Sequence, residues 1–270
     1  MTSDALTLPL LEFLQYKAGC TYLSDLKSIS GWQRTRLARV LEQIPANVTR
    51  LLWLDSDTAV CDDLSGLTDL DMKGCPIGAV CDSLCLYDRK RLNIPEGQSY
   101  YNAGVLLFDL EQWRPGNLQE KMMAHLAQHI DQYELNDQDL LNDFFRGRIF
   151  RLPERYNLQG LHLAYTPRQY LSVYRWESGA FYPPEEMKTS AEKPAVVHFL
   201  RFLGDYPWEE GDNLHPASPI YQKWKALSPW AQYREEKRRK SMIFVVEKGL
   251  FRLLPRKWFL HLFAQICSKK

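Results

Sequence analysis

The apolar run Leu51-Leu52-Trp53-Leu54 stops on Asp55-Ser56-Asp57 and resumes as Thr58-Ala59-Val60. A short apolar stretch with polar residues at its end reads as a buried strand of a parallel sheet, and such sheets bind ligands just beyond their strands' carboxyl ends. Asp55 and Asp57 then sit at a binding edge. Residues i and i+2 of a strand face the same side, so the two carboxylates can reach one hard cation, which can in turn hold a diphosphate. An Asp-x-Asp triplet also suits a solvated turn. The apolar residues on both sides favour the metal site.

The rest of the chain repeats this design. A helix is expected over 31–44, where Trp32, Leu37, Val40, Leu41 and Ile44 recur at helical spacing before Pro45. Pro76-Ile77-Gly78-Ala79-Val80-Cys81-Asp82 is a second apolar strand ending on an acid, and Asp82 can share the same sheet edge. Tyr100 to Leu110 reads as a third strand, opened by Asn102-Ala103-Gly104, small residues that let backbone approach a ligand closely. Leu118 to Tyr133 has helical period, and Asn136-Asp137-Gln138-Asp139 caps the next helix, with Asp137 either the cap itself or a site residue. Arg155 to Gln159 reads as a polar loop, residues 160–193 as irregular loops walling an acceptor site, and Pro194 to Phe199 as a strand ending at His198.

With 270 residues, 45% hydrophobic and 25% charged, the chain is large enough for one α/β domain and an appendage. The net charge of +1 hides a basic terminal segment. We expect a catalytic domain over 1–231 and a basic amphipathic helical tail over 232–270, divided at Pro255. Its Lys and Arg residues beside Phe, Trp and Leu match a helix lying on an anionic membrane, the alternative being a helix packed on the domain. Six cysteines without a Cys-x-x-Cys pair read as reduced thiols. No leader or membrane span is evident. A cytoplasmic location, with a possible peripheral place on the inner face of the membrane, and no nucleic-acid partner are expected.

Taken together, these segments resemble the family 8 glycosyltransferases, retaining bacterial sugar transferases of lipopolysaccharide and related glycan synthesis. Leu52-Trp53-Leu54-Asp55-Ser56-Asp57 resembles the family's metal-binding D-x-D, Gly78 to Asp82 its donor-sugar acid, and Tyr101-Asn102-Ala103-Gly104-Val105 its N-A-G-V segment. Asp137-Gln138-Asp139-Leu140-Leu141-Asn142 resembles its D-Q-D-x-x-N motif, and Val197-His198-Phe199 with Gly204 and Pro207-Trp208 its H-x-x-G-x-x-K-P-W. The match runs from about residue 22 to 210.

The resemblance implies a GT-A-type α/β fold with a mixed, mainly parallel central sheet. It also implies a uridine-diphosphate sugar donor carrying glucose or galactose, a glycan or lipid-linked glycan acceptor, and Mn²⁺ or Mg²⁺ held by Asp55, Asp57 and His198. The imidazole leans the site toward Mn²⁺. Asp82, Asn102, Asp137 and Gln138 would surround the transferred sugar, with Asp82, Asp137 and Gln138 nearest the chemistry. Gly204 and Arg36 would complete the donor site, with nearby Arg34 and Arg39 as alternatives to Arg36 in the register of the match. Two departures stand out. Residues 1–30 offer no evident base-gripping strand and loop, so the base pocket is expected to be incomplete. The lysine of K-P-W is replaced by Tyr206, and Arg201 is a candidate to supply the missing positive charge.

Two rivals fit less of the chain. A haloacid dehalogenase-type phosphatase also opens with a strand and D-x-D, but wants Thr or Val where Ala59 sits and leaves Asn-Ala-Gly and Asp-Gln-Asp without a role. A degenerate, non-catalytic nucleotide-sugar or glycan-binding protein would keep the sheet and lose the base pocket.

Overall fold

The computed structural model describes residues 44–84, 86–174, 179–235 and 240–267. Arg36, and all but the last residue of the helix expected over 31–44, lie outside the described residues. In chain order the structure runs β1 (Arg50–Leu54), β2 (Thr58–Val60), β3 (Ile77–Cys81), α1 (Leu86–Arg91), β4 (Tyr101–Asp109), α2 (Leu110–Trp113), α3 (Leu118–His129) and α4 (Asn136–Phe144). It continues with β5 (Ile149–Arg151), β6 (Leu158–Gln159), α5 (Gly160–Ala164), α6 (Pro167–Val173), α7 (Pro184–Glu192), β7 (Val196–His198), α8 (Ser218–Ala226), α9 (Met242–Leu253) and α10 (Arg256–Cys267).

The strands form two sheets, in the orders β1-β4-β3-β5 and β2-β7-β6. In the larger sheet β4 runs antiparallel to β1 and to β3, while β3 and β5 are parallel. The sheet is therefore mixed, with β1, β3 and β5 running one way and β4 reversed between two of them. The parallel neighbour expected for β1 is replaced, among the described residues, by antiparallel β4. The carboxyl ends of β1 and β3 and the start of β4 consequently share one edge.

β4 is almost wholly apolar because both of its faces are covered. Leu106 and Phe108 join Ile77 and Ala79 in a core with Met122 and Leu126 of α3 and Leu140 of α4. The intervening Leu107 points the other way, into a second core with Leu152, Tyr170, Phe181 and Tyr182. That core is closed by Phe251 of α9 and by Phe259 and Leu260 of α10.

The described residues of 160–193, expected to be irregular, contain three helices. The aromatic-rich composition hid their starts. Thr166 and Gln169 make a reciprocal capping box at α6, and proline opens both α6 and α7, where its missing N–H costs nothing. α1 stands between the second apolar strand and the third.

The terminal helices meet at Pro255 as expected. They pack on the domain through Phe251, Phe259 and Leu260, but three basic residues in or just before them are ion-paired rather than simply facing water. Lys240 and Lys248 pair with Asp205 at 2.9 and 2.7 Å, and Arg252 pairs with Asp212. Asp205 is 1% exposed, and removing one partner of such a buried pair costs about 3–5 kcal/mol.

Candidate active site

Asp55-Ser56-Asp57 is a turn, not a continuation of the strand. β1 ends at Leu54 in the larger sheet and β2 begins at Thr58 in the smaller one, so the triplet is where the chain passes from one sheet to the other. The two carboxylates converge through this turn rather than through strand alternation. Backbone bonds fix it on both sides: Asp55 N–H donates to the Gly104 carbonyl, and Phe199 N–H donates to the Asp57 carbonyl, each at 2.8 Å. Thr58 Oγ1 donates to the Asp55 carbonyl at 2.7 Å, and Trp53 Nε1 donates to Asp55 Oδ1 at 3.0 Å.

His198 ends β7 directly opposite Thr58 of β2. Its Nε2 lies 3.3 Å from Asp57 Oδ1 and 4.0 Å from Asp55 Oδ2. One ligand atom from each of the three residues falls within 4.8 Å of the others, with His198 buried and both carboxylates half-exposed. Two hard oxygen donors and one imidazole, open to solvent on one side, fit a divalent cation that keeps positions for a ligand. On the other side of His198, Nδ1 lies 3.0 Å from Asn157 Oδ1.

Gly104 explains how the histidine fits. A Cβ there would overlap the His198 imidazole, so the glycine of Asn-Ala-Gly makes room for a side chain of this protein rather than for a ligand.

The start of β4 is bulged: Ala79 pairs with Leu106, whereas the next residue, Val80, pairs with Asn102. A bulge takes backbone groups out of the ladder and re-aims side chains. Here the released N–H groups are taken by the motif residues. Ala103 N–H donates to Gln138 Oε1 at 3.0 Å, and Gly104 N–H donates to Asn102 Oδ1 at 2.9 Å. Asn142 clamps Tyr101 from both sides, accepting from its N–H at 2.7 Å and donating to its carbonyl at 2.8 Å, which accounts for the last residue of Asp-Gln-Asp-x-x-Asn.

Asp82, 9% exposed, follows β3 at the same edge. Its Oδ2 accepts from Asn102 Nδ2 at 2.9 Å and from Gln138 Nε2 at 3.4 Å, and its Oδ1 accepts from Leu84 N–H at 2.8 Å. Asp82, Asn102 and Gln138 are thus gathered into one polar cluster, and Asp137 stands beside Gln138 on the first turn of α4, 2% exposed. Asp137 is inside the helix rather than its cap, which is Leu135, and the chain just ahead of α4 is held by Asp139. The Asp139 carboxylate accepts from Glu134 N–H at 2.8 Å and Leu135 N–H at 2.7 Å, and also binds Arg91 and the Tyr100 hydroxyl at 2.7 Å. Burial, and then the adjacent Asp139 charge, hold the Tyr100 hydroxyl well above its ordinary pKa. Tyr100 therefore stays protonated and donates to Asp139, leaving its oxygen to accept from Gln138 Nε2 at 3.2 Å.

Gly204 has a local reason of its own. It adopts φ +77°, a Cβ there would overlap Phe244 of α9, and its carbonyl accepts from Lys240 Nζ at 2.7 Å. Arg201 lies over the Tyr206 ring, 5.0 Å from its centroid, and that ring stacks on Trp208.

The sequence reading passed over Asn157, Gln159 and Tyr100. Gln159 braces the Asp82 turn, accepting from Ser83 N–H at 2.9 Å and donating to the Cys81 carbonyl at 3.0 Å. Asn157 and Gln159 lay in a stretch read as polar loop, although both are 1% exposed or less. The signal was their amides alternating with the apolar Leu158.

Comparison with known proteins agrees with this geometry. Over residues 6–210 the chain matches glycosyl transferase family 8, reaching further toward the N-terminus than the individual motifs do. General stress protein A of Bacillus subtilis is 27% identical over 186 residues, covering 68% of this chain and 61% of the relative. Lipopolysaccharide 1,2-glucosyltransferase of Escherichia coli is 26% identical over 226 residues, covering 82% of this chain and 62% of the relative. The chain thus spans about three-fifths of the length of these relatives. Among solved structures, the galactosyltransferase LgtC, in complex with donor and acceptor sugar analogs, superposes with a TM-score of 0.55 at 24% identity, over 75% of this chain and 68% of that one. That likeness shows a shared GT-A fold. With a family match over most of its length and the family's motifs brought to one sheet edge, the chain belongs to glycosyl transferase family 8.

Proposed function

We propose that this chain is a metal-dependent, retaining hexosyltransferase that moves glucose or galactose from a uridine-diphosphate sugar to a glycan or lipopolysaccharide-type acceptor. The observation that carries the reading is the adjacency of the Asp55, Asp57 and His198 ligand set to the Asp82, Asn102 and Gln138 cluster. Asp55, Asp57 and His198 would hold the cation, with Mn²⁺ favoured over Mg²⁺ by the imidazole. When bound, the cation would act as a Lewis acid that neutralises charge on the departing diphosphate.

The remaining work falls to the protein's own groups. Oxocarbenium character in the transition state is stabilised by carboxylate and amide oxygens near the anomeric carbon, the role assigned to Asp82, Asp137 and Gln138. An amide is a poor nucleophile, and Gln138 is tied down by Ala103, Tyr100 and Asp82. This favours same-face substitution, with the leaving phosphate taking the acceptor's proton, over a covalent intermediate. Asn102 and Gly204 complete the donor contacts, together with Arg36.

A second reading concerns the terminal segment, 232–270. Met242, Ile243, Val246, Leu253 and Trp258 are all more than half exposed, beside Arg256 and Lys257. No helix among the described residues is long and apolar enough to cross a membrane. This exposed apolar set suits the headgroup region of an anionic bilayer, on whose cytoplasmic face a lipid-linked acceptor would be met.

Calorimetry tests the site directly. Mn²⁺ is expected to bind the wild type and to raise its affinity for uridine diphosphate, and Asp57→Asn is expected to lose both effects. Equal binding of uridine diphosphate with and without metal in both proteins would overturn the reading.

A further inference from the structure

The His198 imidazole offers Nε2 to the two carboxylates, and it can serve as a ligand there only if the ring's proton sits on Nδ1. One backbone N–H settles this through a chain of buried amides. Gly104 N–H can only donate, so the Asn102 atom 2.9 Å from it is the oxygen. The other end of that amide agrees, since Asn102 Nδ2 faces the Asp82 carboxylate at 2.9 Å. Asn102 Oδ1 also lies 2.9 Å from the Asn157 amide, which must therefore present its nitrogen. Asn157 is left with its oxygen toward His198 Nδ1 at 3.0 Å. An oxygen there accepts, so Nδ1 carries a proton, and in the neutral ring the lone pair is then on Nε2.

Asn102, Asn157 and His198 are 4%, 0% and 2% exposed, so water does not compete for these bonds. The histidine cannot swing toward Gly104, where even a Cβ would not fit. We propose that Asn157 is a positioning residue: through its side-chain amide it reads the polarity of the bulged Asn102-Gly104 backbone and locks His198 in the tautomer that presents Nε2 to the cation. The sugar-facing Asn102 and the metal-facing His198 are then parts of one oriented network. This inference rests on the reading of His198 as a metal ligand.

The experiment has two parts. In metal-free wild-type protein, at a pH where imidazole is neutral, nitrogen-15 NMR of the His198 ring is expected to show a protonated Nδ1 and a bare Nε2; the opposite tautomer would overturn the inference whatever the variants do. Mn²⁺ affinity is then compared in Asn157→Leu and Asn157→Asp. Leucine removes the acceptor and is expected to cost about 10–100-fold in affinity. Aspartate keeps an acceptor for Nδ1–H while losing the donor to Asn102, and is expected to hold wild-type affinity even where thermal stability falls. Affinity that tracks stability in both variants, or wild-type affinity in the leucine variant, would overturn it. Because the tautomer is read without metal, its failure is distinct from failure of the metal site, which would show as no Mn²⁺ binding by the wild type.

Discussion

Gly104→Ala adds one methyl group at the point where β4 passes under His198. The new Cβ would overlap the imidazole Cε1 and Nδ1 and lie 3.0 Å from Asn102 Oδ1. None of these atoms can retreat cheaply. His198 is held by its pairing with Thr58 and by Asn157, and β4 is held by β1 through Asp55 N–H. Overpacking of a well-filled interior costs about 1–3 kcal/mol, which for a chain of this size lowers Tm by roughly 2–10 °C. Gly104 has no positive φ, so the cost is steric and not a matter of backbone conformation. Displacement of the ring should also weaken Mn²⁺ binding at least about tenfold, or roughly 1.4 kcal/mol. Thermal denaturation without metal and Mn²⁺ calorimetry measure the two effects. Gly249→Ala in α9 is the control: a Cβ there meets nothing within 4 Å, and a helical Gly-to-Ala change should stabilise by about 0.5–1 kcal/mol. If Gly104→Ala melts and binds Mn²⁺ like the wild type, the close approach of β4 to His198 is wrong.

Asp88 should make stability depend on pH with the opposite sign to an ordinary ion-paired carboxylate. Burial raises its pKa from 3.8 to about 6 despite Arg91 at 3.0 Å, because Arg91 is shared with Asp139, whose charge opposes ionisation. Its folded pKa lies above the unfolded one, so its contribution is present below 3.8 and is lost as pH rises to about 6. Urea unfolding should therefore show Asp88→Asn gaining on the wild type across that interval, and a constant difference would contradict it. At the terminal helices, combined serine substitution of the exposed Met242, Leu253 and Trp258 should abolish sedimentation with anionic liposomes while leaving Phe251, Phe259 and Leu260 buried. Unchanged sedimentation, or equal recovery of the wild type with neutral and anionic lipid, would remove the membrane reading.

Much of the site was legible because its residues lie at ends of apolar runs. Leu51 to Leu54, Ile77 to Cys81 and Val105 to Phe108 mark three strands of one sheet by composition, and the polar residues that interrupt or follow them must lie at its edge. Less visible was what depends on pairing. The bulge at Ala79/Val80 gives Ala103 and Gly104 their side-chain partners, yet it arises from the register between two strands and leaves no local mark. Asn157 could not be singled out for the same reason, since its importance comes from standing between Asn102 and His198, 55 and 41 residues away. The ion pairs of Lys240, Lys248 and Arg252 were not legible because their acidic partners, Asp205 and Asp212, meet them only in three dimensions.

The most direct measurement is release of uridine diphosphate from UDP-glucose and UDP-galactose, with and without Mn²⁺, by the wild type and Asp57→Asn. Release from at least one donor that requires Mn²⁺, stops on chelation and is absent from the variant is the expected result. Release that is independent of metal and equal in the two proteins would contradict the assignment of Asp55, Asp57 and His198 as the centre of the chemistry.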